Sequence, residues 1–174
     1  PRSAFAVYSP HCGRQSLPYR RVAQSALRSV LLKDCSTKSG CPSSTTTDIC
    51  CITTDTCVPI SRLADCLLDS MTEVEASGIP YFLVGHVGDG NFHFGYLIDP
   101  NNAQERATAE TLNDQLVARA LSMDGTCTGE HGIGLHKIDF LIHETGEDAV
   151  DMMRSIKHAL DPNNIFNPGK IFRW

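Results

Sequence analysis

Two histidines, His86 and His93, stand on either side of the run Val87-Gly88-Asp89-Gly90-Asn91-Phe92. A second glycine-rich run, Gly125 to Gly134, carries the adjacent pair Glu130-His131. Asp89-Gly90 is a strong hairpin signal. If the two arms of that hairpin lie side by side, His86 and His93 can face one point. Neutral imidazoles are good ligands for zinc and similar divalent ions. Glu130 would add a hard oxygen, and two histidines with one carboxylate form a recurring catalytic zinc set with an open position. His131, next in the chain, would be placed to take a proton from a substrate hydroxyl, since imidazole titrates near neutral pH. Asp89 and Asn91 are explained at least as well as turn residues that bond the local backbone. His11, His136, His143 and His158 have no such setting and read as ordinary polar side chains, with His136 and Lys137 at the solvated start of a helix. Spacing alone leaves the reaction open.

Several elements must position these residues. Val58-Pro59-Ile60 reads as extended, because proline turns the preceding residue away from helix. Ser61 is the expected N-cap of a helix with Leu63, Leu67, Leu68, Met71 and Val74 on one face and Gly78 just past its end. Tyr81 to Val84 and Phe92 to Ile98 read as strands. A long helix is expected from Ala103 to Ser122, with Leu112, Leu116, Val117, Ala120 and Leu121 inward. Another is expected from Glu147 to Leu160, with Val150, Met153, Ile156 and Leu160 inward and Asp161-Pro162 as its stop. Helices mixed with an evident hairpin point to an α+β domain.

Residues 1–50 are less patterned. One short helix is expected over residues 22–32. Residues 36–47 are small, polar and turn-rich and read as loop or disorder. Thr46-Thr47-Asp48-Ile49-Cys50 and Thr53-Thr54-Asp55-Thr56-Cys57 form a near-repeat too short to be a structural unit.

The 174 residues suffice for one domain with a real core, and 41% apolar with 20% charged residues fits an ordinary globular chain. The net charge of −5 and the lack of a basic stripe argue against a nucleic-acid partner. No apolar run approaches the roughly 18 residues that span a bilayer. Of eight cysteines, only Cys127 falls in the half with the recognisable chemistry, and no Cys-x-x-Cys pair occurs, which favours reduced thiols over a disulfide scaffold or a thiolate zinc site.

Three motifs together carry a resemblance: Gly85 to His93, Gly125 to Gly134, and Leu160 to Lys170. They resemble the C-terminal domain of FAD-linked oxidases, flavoproteins of the vanillyl-alcohol oxidase type, in the branch that acts on D-2-hydroxy acids. Val58-Pro59-Ile60-Ser61-Arg62-Leu63 matches the start of that domain, and the likeness runs from about Asp55 to Phe172. It implies a division into a divergent, partly disordered segment, 1–54, and a substrate and metal domain, 55–174. That domain would be an antiparallel sheet flanked by helices, capping a flavin held mainly by a separate domain.

The resemblance places His86, His93 and Glu130 on the ligands of a divalent metal, zinc or manganese. It places His131 on the base, and Asn91, Asn167 and Lys170 beside the flavin. The implied reaction is FAD-dependent oxidation of a small-molecule 2-hydroxy acid, D-lactate to pyruvate first, with D-2-hydroxyglutarate or glycolate as alternatives. Electrons would pass from flavin to cytochrome c or another acceptor, in the mitochondrion. Phe94 and Gly95, just after His93, are expected to keep the pocket apolar and to favour a small monocarboxylate. No flavin phosphate loop is visible, so the chain is expected to be a fragment without the main FAD-binding domain. Its alternative is a non-catalytic metal-binding fragment.

Overall fold

The computed structural model describes residues 4–8 and 49–173. The expected helix over 22–32, the turn-rich segment 36–47 and His11 lie outside the described residues. Five antiparallel strands form one sheet: β1 (Ala4–Tyr8), β2 (Cys50–Thr53), β3 (Thr56–Cys57), β4 (Tyr81–His86) and β5 (Asn91–Ile98). β4 lies between β1 and β5, and β2 and β3 share the far edge of β5. Among the described residues, four helices accompany the sheet: α1 (Ile60–Ser77), α2 (Ala103–Ser122), α3 (Ile138–Thr145) and α4 (Glu147–Leu160). This is the expected α+β architecture. Strands β1 and β2 precede residue 55 and pair into the same sheet.

The central hairpin explains itself from sequence. All eight residues of β5 are buried, and its core-facing Phe92, Phe94, Tyr96 and Ile98 alternate with Asn91, His93, Gly95 and Leu97 on the other face. Tyr81 and Leu83 of β4 join Phe92, Phe94, Tyr96 and Ile98 of β5 in the main core. Against them pack Leu63, Cys66 and Val74 of α1 and Ala109, Leu112, Leu116 and Ala120 of α2. Each fully buried Leu or Val in such a cluster contributes roughly 1.5–3 kcal/mol. Side chains alternate across a strand, so His86 and His93 leave on the opposite face. A single 3-10 turn at Val87–Asp89 reverses the chain, and Gly90 follows at φ 74°. A Cβ on Gly90 would lie 2.0 Å from the Val58 carbonyl oxygen, so no other residue fits there.

β2 and β3 read as one strand interrupted at Thr54-Asp55. Thr53 opposes Gly95 and Thr56 opposes Phe92, so the register against β5 continues across the break. Within it the Thr54 N–H still donates to the Phe94 carbonyl at 2.8 Å, and the Phe94 N–H donates to the Thr54 hydroxyl at 2.9 Å. Asp55 is thus held at the level of His93.

The helix ends follow local chemistry, with corrections to the sequence reading. Gly78 ends α1 at φ 75°, as its type suggests. The N-cap of α1 is Pro59, not Ser61, which is already inside the first turn. Asn102 caps α2 by accepting the N–H groups of Gln104 and Glu105, while its own amide donates to Glu105. Leu68 faces solvent rather than the core. So do Ile156 and Leu160 of α4, at 55% and 79% exposed, because this helix packs mainly on α3 through one flank. The α3–α4 pair and the C-terminal tail share a second small cluster, Leu141, Val150 and Phe172.

Candidate metal and acid/base centre

The hairpin register puts His86 opposite Asn91 and His93 opposite Val84. The two histidines are therefore diagonal neighbours on one face, within reach of a common atom. That atom is Oε1 of Glu130. It lies 3.2 Å from His93 Nε2, 3.9 Å from His86 Nε2 and 3.9 Å from His131 Nε2. Three imidazole nitrogens thus converge on one carboxylate oxygen. The His131 ring stacks on that of His93, with centroids 4.9 Å apart and planes 12° from parallel. His93 is buried, while His86, Glu130 and His131 are open to solvent by a third to a half.

His93 has its tautomer assigned by its neighbour. Its Nδ1 sits 2.9 Å from the Thr54 carbonyl oxygen, which can only accept. Nδ1 therefore carries the proton and Nε2 offers its lone pair toward Glu130. This is the backbone orientation common behind metal-binding imidazoles. Burial pushes the His93 pKa down, and that effect outweighs the opposing pull of the Thr54 bond and of Asp55 and Glu130. The ring is neutral at ordinary pH, as a ligand must be.

Asp55 and Lys137 were not among the residues the sequence singled out. Asp55 is 1% exposed and accepts from an unusually complete set of donors. Three successive backbone amides of the glycine loop reach it: Gly129 at 2.9 Å, Glu130 at 3.1 Å and His131 at 3.0 Å. The Thr128 hydroxyl donates at 2.7 Å, the Asn91 amide at 3.0 Å and Lys137 Nζ at 3.1 Å. Lys137 also donates to the Asp55 carbonyl at 2.7 Å, so it is bound into the site rather than solvated. Consecutive amides around an anion form a nest. Burial alone would raise the Asp55 pKa, but Lys137 and the bonds from Thr128, His131 and Asn91 outweigh it and hold the carboxyl well below the usual range. The local sequence offered one clue: a loop with several bare backbone amides requires an acceptor.

Among the described residues, one group of side chains brings its ligand atoms close enough together to share an ion. Asp55, His93 and His131 each offer an atom within 4.8 Å of the others. That set suits a cation poorly, because the Asp55 oxygens are already taken by amides, a hydroxyl and an ammonium. His86, His93 and Glu130 offer donors of the right chemistry, two imidazole nitrogens near one carboxylate oxygen. Two ligand atoms about 2.0–2.1 Å from a tetrahedral zinc lie roughly 3.3–3.4 Å apart, and the distances to Glu130 Oε1 bracket that value. His86 Nδ1 is also buried without a hydrogen-bond partner among the described residues.

The remaining site residues fall elsewhere. Asn91 lies buried beneath the loop, its amide shared between Asp55 and the Thr56 carbonyl. Gly129 packs directly on it: a Cβ there would come 1.7 Å from Asn91 Nδ2. Asn167 and Lys170 are exposed in the C-terminal tail, which the Ile171 N–H joins to the Gly134 carbonyl at 2.8 Å. The Phe94 side chain does not line the pocket: it is in the core against Tyr81, Phe92 and Tyr96. Gly95 stands against the Phe82 ring. No helix among the described residues is long and apolar enough to cross a membrane.

Residues 42–171 match the family of FAD-linked oxidases, C-terminal domain. The chain is 52% identical over 121 residues to D-lactate dehydrogenase [cytochrome], mitochondrial, of Kluyveromyces lactis, which is 70% of this chain and 20% of that protein. It is 49% identical over 118 residues to the Arabidopsis thaliana protein of the same name, 68% of this chain and 21% of that one. It is 33% identical over 117 residues to D-2-hydroxyglutarate dehydrogenase of Escherichia coli, 67% of this chain and 11% of that protein. The chain spans about a fifth of the length of the two D-lactate dehydrogenases.

Proposed function

Since the chain belongs to the family of FAD-linked oxidase C-terminal domains, we propose that residues 55–174 are the substrate and metal domain of a mitochondrial flavoenzyme that oxidises D-lactate to pyruvate. FAD would be held mainly on a separate domain, and cytochrome c or another carrier would take the electrons. The convergence of His86, His93 and His131 on Glu130 Oε1 carries this reading.

The chain's residues then have distinct tasks. His86 and His93 present Nε2, and Glu130 a carboxylate oxygen, as donors for a divalent cation, zinc or manganese. When bound, the cation supplies Lewis acidity to the substrate hydroxyl and FAD supplies the hydride acceptor. Thr54 keeps the His93 proton on Nδ1, so that Nε2 stays available. His131 receives the substrate hydroxyl proton at Nε2, on the solvent-open side of the group. Asn91, Asn167 and Lys170 are assigned to the flavin side.

Similarity to both D-lactate and D-2-hydroxyglutarate dehydrogenases leaves substrate choice to experiment. Turnover of D-lactate and D-2-hydroxyglutarate by flavin-loaded protein should favour D-lactate, and His131→Ala should lower kcat by about 10²–10⁴-fold. Equal turnover by His131→Ala would remove the base from its role. Preference for 2-hydroxyglutarate would move the substrate assignment. A second reading, a metal-binding domain without turnover of its own, predicts bound metal and no flavin absorbance or dye reduction, and turnover by flavin-loaded protein would exclude it.

A further inference from the structure

We propose that Asp55 is the positioning residue of this centre: its carboxylate gathers the loop amides of Gly129, Glu130 and His131 and thereby sets Glu130 and His131 against His93. The inference rests on the reading of His86, His93 and Glu130 as a metal site and assigns Asp55 no contact with the metal.

Gly129, Glu130 and His131 are exposed, and Gly132 and Gly134 beyond them lie at φ 75° and 55°. A glycine-rich loop loses much conformational freedom on being fixed. Four of its polar groups, the Thr128 hydroxyl and the next three amides, nevertheless point to one side chain at 2.7–3.1 Å. Asp55 is in turn fixed from the sheet. It occupies the break between β2 and β3 at the level of His93, with its Oδ1 3.7 Å from His93 Nδ1. Thr54, the residue before it, holds the His93 ring. One two-residue break in an edge strand therefore orients a sheet ligand through Thr54 and a loop ligand through Asp55. Lys137 completes the anchor by pairing with the buried carboxylate.

An ionised carboxylate has about four lone-pair sites, and here they meet the loop amides, Thr128, Asn91 and Lys137. Asp55→Asn keeps the shape but leaves a single acceptor oxygen. If that oxygen takes the Oδ2 position, it retains Thr128, Gly129, His131 and Lys137 and keeps Glu130 only through its longer 3.3 Å bond. The new NH2 group then faces the N–H of Glu130 and the amide of Asn91, both donors. The variant is aimed at the placement of Glu130.

Zinc titration by calorimetry on the 174-residue chain, together with amide hydrogen exchange, provides the test. Asp55→Asn should bind zinc about 10- to 100-fold more weakly at unchanged stoichiometry, the usual effect of losing an outer-shell partner. The amide of Glu130 should exchange faster, with smaller increases at Gly129 and His131. Asp161→Asn, which alters the carboxylate at the end of α4, should leave zinc affinity as in the wild type. If Asp55→Asn does not fold, Thr128→Val removes one donor and should show the same two effects in smaller degree. A folded Asp55→Asn with wild-type affinity and wild-type protection of these amides overturns the proposal. Failure of the wild type to bind zinc overturns the metal reading instead, and the exchange arm still decides whether Asp55 holds the loop.

Discussion

Two aspartates in this molecule do the same local chemistry with different consequences. Asp161 accepts the N–H groups of Ile165 and Phe166, both at 2.9 Å, and pairs with Lys157. Asp55 accepts three successive amides and pairs with Lys137. The partners of Asp161 are four or five residues away, so it closes the end of α4 and turns the chain into the tail. The partners of Asp55 in the loop and α3 region are 73 to 82 residues away, so it joins the sheet to the glycine loop. A carboxylate nest that spans only its own turn terminates an element. One that spans separate elements can set the geometry of a site.

The largest effect should come from breaking the distant nest. Asp55→Ala leaves a half-buried ammonium and several amides without their acceptor, and should cost roughly 3–5 kcal/mol in urea denaturation of the metal-free chain. Asp161→Ala should cost less, with faster exchange confined to the amides of Ile165 and Phe166. Equal losses in the two variants would dissolve the distinction.

Next comes steric pressure on the same nest. Gly129→Ala drives a methyl group into Asn91, and overpacking of this kind costs about 1–3 kcal/mol. The same change should weaken metal binding, because Glu130 is the next residue. A stable Gly129→Ala with unaltered metal affinity would show that the loop has slack.

Acid separates the two aspartates by pH. Both carboxyls titrate lower in the folded chain than in the unfolded one, so each stabilises above its unfolded value and loses that contribution as pH falls through its folded value. For Asp161, chiefly through the Lys157 bond, the pKa falls from 3.8 to about 2. Its share should therefore disappear between about pH 4 and pH 2. That of Asp55 should persist to still lower pH. Exchange of the Ile165 and Phe166 amides should rise before that of Gly129 to His131, and the reverse order would contradict the assignment.

The smallest effect is expected at Ser61. It caps nothing, so Ser61→Ala should change stability by no more than about 0.5 kcal/mol in the same denaturation assay. A larger loss would restore the capping role first expected from sequence.

The same contrast explains what was legible in the sequence. Asp161-Pro162 reads as a helix stop because its partners are adjacent. The limits of α2 and α4, the Gly78 cap and the Asp89-Gly90 turn are local too, and each is where the residue types put it. His86 and His93 could be placed on a shared face because one hairpin register relates them. Asp55 and Lys137 were missed because their partners come from distant elements. Lys137 in isolation looks like a solvated helix start. Ile156 and Leu160 failed for a related reason: a 3.6-residue period shows that a helix has an apolar stripe, but not what lies against it. Phe94 failed because adjacent strand residues face opposite sides, so proximity to His93 in sequence places it in the core.

The central claim is that His86, His93 and Glu130 hold a metal while His131 stands beside it as base. The distances to Glu130 Oε1 are the same for His86 and His131, so these two provide the sharpest discrimination. Metal content after equilibration of His86→Ala and His131→Ala with zinc, measured on folded protein, tests the assignment directly. His86→Ala should lose most of the bound metal and His131→Ala should keep it. Retention by His86→Ala with loss from His131→Ala would exchange the two roles, and undiminished metal in both would contradict the account.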